Sequence, residues 1–234
     1  RPNIVLIMTD DQGYGDLSCH GNPVLKTPHL DELNNDSVRL VDYHVSPTCS
    51  PTRSALLTGH WTNRTGVWHT ILGRSLLREN EVTVGEAFRR SGYATGMFVI
   101  WHLGDNSPFL PEHRGFTEVM RHGGGGVGQT PEYWDNAYFD GSYFHIGKVT
   151  PVEGYCTDVW FDYARRFIRT QKEAGMPFFA YLSTNAPHGP MHAPKLFSQP
   201  YLDSGPHVAN FFGMIANIDY NVGRLRAFLR EEGL

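Results

Sequence analysis

The sequence predicts an α/β fold in which a mostly parallel sheet is sandwiched between helices. Three observations point there. Helical and strand-like patterns alternate along the chain, the arrangement that builds parallel sheets. The strand candidates are continuous apolar runs, such as Ile4-Val5-Leu6-Ile7-Met8, which suit strands buried on both faces. Polar residues with chemical potential follow directly after those runs, where ligands of parallel sheets bind.

The elements are read in order. Ile4–Met8 is the first strand. Pro28 to Asn35 is a short helix with Thr27 as its N-cap. A second strand is expected near Val38 to Val45. Ser46 to Pro51 turns into a helix over Thr52 to Leu57, closed by Gly59. Val84 to Arg90 reads as a helix and Tyr93 to Trp101 as a strand. From about Gly104 to Gly154 the pattern is irregular and reads as a long loop, a length usually tied to function. Val159, Tyr163, Phe167 and Ile168 mark one face of a helix. Pro177 opens the strand Phe178 to Leu182. Ile215, Ile218, Val222, Leu225 and Leu229 step by three and four, the stripe of a core-facing helix that Gly233 closes.

Composition narrows the function. Of 234 residues, 40% are apolar and 19% charged, which provides a core and excludes a disordered chain. No apolar run approaches the roughly 20 residues of a membrane span. A net charge of −4 gives no broad basic footprint for nucleic acid. Three cysteines, Cys19, Cys49 and Cys156, do not make a disulfide framework. The chain opens directly on a strand, as a mature protein cut just ahead of it would, and a periplasmic or secreted location is expected. Gly123 to Gly126 lacks the Lys-Ser/Thr of a phosphate-binding loop and is expected to be a mobile turn.

Four groups of polar residues sit at expected strand ends: Asp10-Asp11, Cys49, Trp101-His102, and Asn185 to Pro190. Adjacent carboxylates suit a hard divalent cation with oxygen ligands; the alternative is an Asx-turn with one solvated carboxylate. Cys49 lies where a helix begins, with Arg53 one turn on. That spacing suits an anion site around a modified or ionised residue 49; an inert buried cysteine is the alternative.

Cys49-Ser50-Pro51-Thr52-Arg53-Ser54-Ala55-Leu56-Leu57-Thr58-Gly59 resembles the sulfatase signature. Pro2 to Asp16, Trp101-His102-Leu103-Gly104-Asp105 and Ala186-Pro187-His188-Gly189-Pro190 are similar to further motifs of that family, in family order. The chain thus resembles the formylglycine-dependent sulfatases of the alkaline phosphatase-like superfamily.

The resemblance implies a sulfuric ester hydrolase. Cys49 would be oxidised by a maturation enzyme to formylglycine, whose hydrate attacks sulfur and then releases sulfate. Asp10, Asp11 and the modified Cys49 would bind one calcium ion. Arg53 would hold the modified side chain, His102 would act on its diol, and His188 would stand near the sulfate and leaving group. Neither nucleic acid nor membrane is an implied partner.

Two departures stand out. The family's glycine-lysine ahead of Trp-His is Val99-Ile100 here. The family's Asp-Asn metal pair, on a strand after the last helix, has no counterpart before Leu234. The resemblance therefore implies that residues 1–234 are the family's N-terminal catalytic domain, expected to be incomplete, with a loop insertion at about 104–154 and without the C-terminal subdomain. The alternatives are a phosphate or phosphonate ester hydrolase of the same superfamily and a truncated or degenerate non-catalytic homologue. The half-aromatic stretch Tyr133 to Phe144 suits either a pocket for a sulfated carbohydrate or an aryl ring, or satellite core beneath the loop.

Overall fold

A computed structural model describes residues 1–71, 73–128 and 135–234. The strands are β1 (Ile4–Met8), β2 (Ala94–Val99), β3 (Glu118–Arg121), β4 (Ser142–His145), β5 (Lys148–Pro151) and β6 (Phe178–Ser183). The helices are α1 (Pro28–Asn35), α2 (Cys49–Thr58), α3 (Thr62–Thr65), α4 (Val84–Arg90), α5 (Cys156–Glu173), α6 (Lys195–Ser198) and α7 (Pro206–Glu231).

The six strands form one sheet in the order β1-β6-β2-β3-β4-β5. β1, β6, β2 and β3 are parallel; β4 and β5 extend the sheet as an antiparallel hairpin. The expected mostly parallel sheet is present. Alternate residues sort to two apolar layers, as strand geometry requires. Phe98, Phe178, Ala180 and Leu182 pack with Trp160, Phe161 and Ile168 of α5 and with Ile218, Val222 and Leu225 of α7. Met97, Val119, Phe179 and Tyr181 pack on the opposite face with Leu57 and Phe88.

Two expectations are corrected. Val38 to Val45 is not a strand. It is an exposed irregular segment, and Val38 is 90% exposed; apolar alternation without a neighbouring strand to bond makes no strand. The stretch 104–154 is not one loop. It carries β3, β4 and β5, each only four residues long, too short for alternation to show in the sequence. Of the aromatic stretch, Tyr133 and Trp134 lie outside the described residues. Tyr138 and Tyr143 are buried in the core layer facing α5, whereas Phe139 is 44% exposed.

Helix ends mix local and long-range solutions. Thr83 and Glu86 form a reciprocal capping box on α4. Gly233 has φ of +69°, and its N–H and that of Leu234 donate to the carbonyls of Arg230 and Leu229, a Schellman closure of α7. Thr27 does not cap α1 with its side chain; its hydroxyl donates to Asp31. The Leu30 N–H in the first turn of α1 instead donates 2.7 Å to Asp219 Oδ1 of α7.

Val99 has φ of +103°, a left-handed geometry that is costly for a β-branched residue. Relief of about 1–3 kcal/mol of strain should offset most of the buried area lost in Val99→Gly. Val119→Gly, equally buried but without that φ, should cost about 1–3 kcal/mol more in chemical denaturation, the strain that Val99→Gly releases. Equal losses in the two variants would contradict the strain.

Burial raises the Asp219 carboxyl from about 3.8 to about 6. The folded state then binds the proton more tightly, so this group's contribution to stability declines as pH rises from about 4 to 6. Asp219→Asn keeps the oxygen acceptor. It should gain about 1–2 kcal/mol at pH 7.5 and flatten the pH dependence of stability between 4 and 6. A loss of stability at pH 7.5 would contradict this.

Candidate active site

The parallel strands bring their C-terminal ends to one edge of the sheet. Asp10 follows β1, His188 follows β6, His102 follows β2 and His122 follows β3. Helix α2 delivers Cys49 and Arg53 to that edge. Cys49 is its first residue, three positions earlier than the sequence pattern suggests, and Thr48 makes no side-chain cap. The first-turn N–H groups of α2 thus face the site with the positive end of the helix dipole.

Arg53 is fully buried. Its Nη1 donates to the Ser183 hydroxyl and lies 3.4 Å from both the Ile100 carbonyl and the Tyr181 hydroxyl. Its Nη2 lies 3.5 Å from Asp10 Oδ2, too long for a good hydrogen bond. Nε and Nη2 of Arg53 and Oδ2 of Asp10 are buried without a hydrogen-bond partner. Burial raises the Asp10 carboxyl above its ordinary value, and Arg53 and His188 partly offset that.

Cys49 Sγ lies 3.2 Å from Nδ1 of His102. His102 Nε2 lies 3.1 Å from the Thr70 carbonyl, which can only accept. The proton therefore belongs on Nε2, and the neutral ring presents Nδ1 to residue 49 as an acceptor. Burial, then the Arg53 charge, lowers the His102 pKa to about 4. Burial and Asp10 push the Cys49 thiol up. The pair is neutral thiol and neutral imidazole, the reverse of an activated thiolate–imidazolium couple. Cys156 is wholly buried, with its thiol pushed up to about 12, and takes no part in the site's chemistry.

The loop Asn185 to Pro190 is tied to the sheet edge through its main chain. Asp10 N–H donates 3.2 Å to the Ala186 carbonyl, and the Tyr138 hydroxyl donates 3.2 Å to the His188 carbonyl. His188 Nδ1 lies 2.6 Å from the Gly189 carbonyl, leaving Nε2 3.5 Å from Asp11 Oδ2. Asp11 has φ of +60° and His102 has φ of +52°. With Val99, three non-glycine residues in the left-handed region cluster here, where strain tends to be stored at functional sites.

The structure thus joins Asp10 to Arg53, Cys49 to His102, and Asp11 to His188. The oxygen chemistry of Asp10 and Asp11 and the orphaned Asp10 Oδ2 suit a hard cation, which takes six to eight oxygens. Two carboxylates supply only part of such a shell. Among the described residues no group of three or more His, Cys, Asp or Glu side chains is placed to hold a metal.

Several neighbours of the site were not expected. His122 is buried at the end of β3, close enough to be electrostatically coupled to both Asp10 and His102. Reading 104–154 as one loop hid the strand that places it. Gly125 is packed on the His102 ring; an added Cβ would come within 2.4 Å of Cε1. Gly123 to Gly126 forms the expected turn, and at Gly125 its backbone approaches the ring so closely that only glycine fits. Ser183, which anchors Arg53, carried no signal beyond ending a strand.

The sulfatase family model matches residues 2–234. The chain belongs to the sulfatase family. It is 31% identical over 255 aligned residues to N-acetylgalactosamine-6-sulfatase of Rattus norvegicus, covering 100% of this sulfatase chain and 47% of the relative. It is 47% identical over 125 residues to arylsulfatase A of Homo sapiens, covering 51% of this chain and 25% of that one. The chain spans about half the length of the curated relatives that it matches along its whole length. Among solved structures it is similar to Ps i-CgsB (TM-score 0.88, 27% identity, 100% of this chain and 56% of that chain). It also shares the fold of a phosphonate monoester hydrolase of Agrobacterium radiobacter (TM-score 0.67, 22% identity, 100% and 60% covered).

Arg53 and Asp10 test the site's electrostatics. Arg53→Met should destabilise the protein by about 3–5 kcal/mol, because it leaves a buried carboxylate without its cation. Adding Asp10→Asn should recover at least half of that loss. Denaturation midpoints of the two singles and the double decide it; strictly additive losses would contradict the coupling.

Proposed function

We propose that this chain is the nucleophile-bearing, N-terminal catalytic portion of a sulfuric ester hydrolase that acts on sulfated carbohydrate, with residue 49 working as formylglycine. One observation carries the proposal. Cys49 stands at the opening of α2 against the acceptor nitrogen of His102, with both groups held neutral. A neutral thiol is a poor nucleophile, so Cys49 is unsuited to attack as it stands, and its place in the sulfatase signature supports conversion to formylglycine by a maturation enzyme.

The roles follow from placement. Arg53, one helical turn on, holds positive charge beneath residue 49. His102 Nδ1 receives a proton from residue 49, and the Thr70 carbonyl keeps the tautomer that can do so. His188, at the mouth beside Asp11, serves the leaving-group oxygen. Asp10 and Asp11 would hold one side of a calcium ion, which supplies Lewis-acid polarisation when bound.

Carbohydrate as substrate is supported by two relatives: the rat N-acetylgalactosamine-6-sulfatase, and Ps i-CgsB, also solved in complex with k-i-k-neocarrahexaose (TM-score 0.88, 26% identity). A sulfated carbohydrate substrate fits the periplasmic or secreted location expected from the sequence. Among the described residues no helix is long and apolar enough to cross a membrane.

One observation favours a non-catalytic homologue instead. Ile100, where the family resemblance places lysine, is fully buried and packed in the apolar core, so that position supplies no cation to a sulfate. A missing donor of this kind costs roughly 10²–10³ in rate.

Parallel assays decide between them. The matured full chain with calcium should cleave carbohydrate sulfate esters in preference to phosphate esters. Cys49→Ser should lower that turnover by roughly 10³-fold or more. Preference for phosphate esters would assign the protein to the phosphoester hydrolases; no turnover with aldehyde present at residue 49 would make it a binding homologue.

A further inference from the structure

A second concentration of charge lies well away from residue 49. Helices α5 and α7 pack side by side, and a groove of about 470 Å³ runs between them. Arg165, Arg166 and Arg169 line it from α5, and Arg224 and Phe228 from α7. The α5 residues recur at spacings of three and four from Asp162, so they share one helical stripe. Arg165 lies nine residues beyond Cys156, the start of α5, roughly 14 Å along the helix axis. Cys156 touches Asn185 of the site loop, so the groove sits toward the far end of the sheet from the candidate active site.

The arginines outnumber their carboxylates. Asp162 Oδ1 is shared by Arg165 and by Arg224 Nη2, the latter at 3.8 Å. Arg169 shares Glu232 with Lys172. Arg166 is exposed and lies over the Tyr163 ring, 5.2 Å from its centroid. Arg169 and Arg224 are likewise held over the rings of Phe228 and Tyr220. Counting Arg165, Arg166, Arg169, Arg224 and Lys172 against Asp162, Glu231 and Glu232 leaves a local charge of 5 − 3 = +2, on a chain whose net charge is −4. Burial and the neighbouring Arg224 and Arg169 charges lower the proton affinity of Arg165, against the pull of Asp162. Three guanidiniums stand over aromatic rings and share fewer carboxylates than they number, a cluster of donors suited to tetrahedral oxyanions.

We propose that the groove between α5 and α7 is an accessory subsite that binds sulfate groups of a sulfated polysaccharide outside the candidate active site. The ligand class rests on the sulfated-carbohydrate function proposed above; the donor array and its excess charge do not. A monosaccharide sulfate in the active site does not reach this groove. A polymer does, and a second hold on the chain raises its effective concentration at the first. Arginine clusters also bind phosphate polymers, so discrimination between the two polyanions is part of the test.

Binding is measured by calorimetry on the full chain carrying Cys49→Ala, which removes turnover from the measurement. The probes are dextran sulfate, uncharged dextran, inorganic sulfate and a single-stranded oligonucleotide. Arg166→Gln combined with Arg169→Gln removes two exposed guanidiniums while keeping comparable stems. Dextran sulfate should bind and uncharged dextran should not. The double variant should weaken dextran sulfate binding by at least about tenfold, the scale of losing charge-assisted hydrogen bonds, and reduce its salt dependence. Arg226→Gln with Arg230→Gln, whose side chains pair with Glu32 and Asp36 near α1, should leave binding within about twofold. Saturable binding of inorganic sulfate that the groove variant abolishes, without binding of the polymer, would make this a free-anion site and overturn the proposal. Equal loss from the two double variants, or oligonucleotide binding as tight as that of dextran sulfate, would overturn it too. No outcome depends on sulfatase turnover, so a failure here is distinct from a failure of the proposed reaction.

Discussion

A guanidinium without access to solvent sits beneath the C-terminal ends of the parallel strands, and the rest of the site is arranged around it. Arg53 reaches Ser183 and Tyr181 of β6, the carbonyl of Ile100 after β2, and Asp10 after β1. Burying such a charge is expensive unless partners surround it, so one side chain pins three strand ends and α2 in register. The same charge shapes the proton chemistry next door. It partly offsets the cost of ionising buried Asp10 and lowers the proton affinity of His102. Structure and reactivity at this edge share one cause.

That field bears on residue 49. Cysteine nucleophiles of hydrolases work as thiolates beside a protonated imidazole. Here desolvation dominates both partners and drives them to neutral forms. The Thr70 carbonyl fixes the proton on Nε2 and turns Nδ1 toward residue 49. A histidine that is neutral across the physiological range has Nδ1 free to accept a proton from residue 49, and Cys49 as a neutral thiol is a poor attacking group.

Much of this was legible in the sequence because the relevant signals are local. The apolar run of β1, the three-and-four stripe of α7 and the Cys49-to-Arg53 spacing each concern adjacent turns or a single strand. Asp10, Asp11, His102 and His188 follow parallel strands as expected, whereas Cys49 and Arg53 reach the same sheet edge on α2, since the segment expected as a strand ahead of Cys49 is not one. What was not legible depends on distant partners. Val38 to Val45 has strand-like alternation but nothing among the described residues to pair with. β3 to β5 are too short to announce themselves, so His122 went unseen and the packing of Gly125 on His102 was not legible. Asp219 caps α1 across 189 residues, a role no window of sequence contains. No sequence signal singles out the arginines of α5; only packing against α7 sets them beside Arg224.

The central claim is that residue 49 acts as an oxygen nucleophile and not as a thiol. Peptide mass spectrometry of residue 49, on protein made in a host with a formylglycine maturation system, tests it most directly. The account predicts loss of the Cys49 sulfur and an aldehyde that reacts with hydrazide. An unmodified thiol in protein that nevertheless turns over sulfate esters would contradict it.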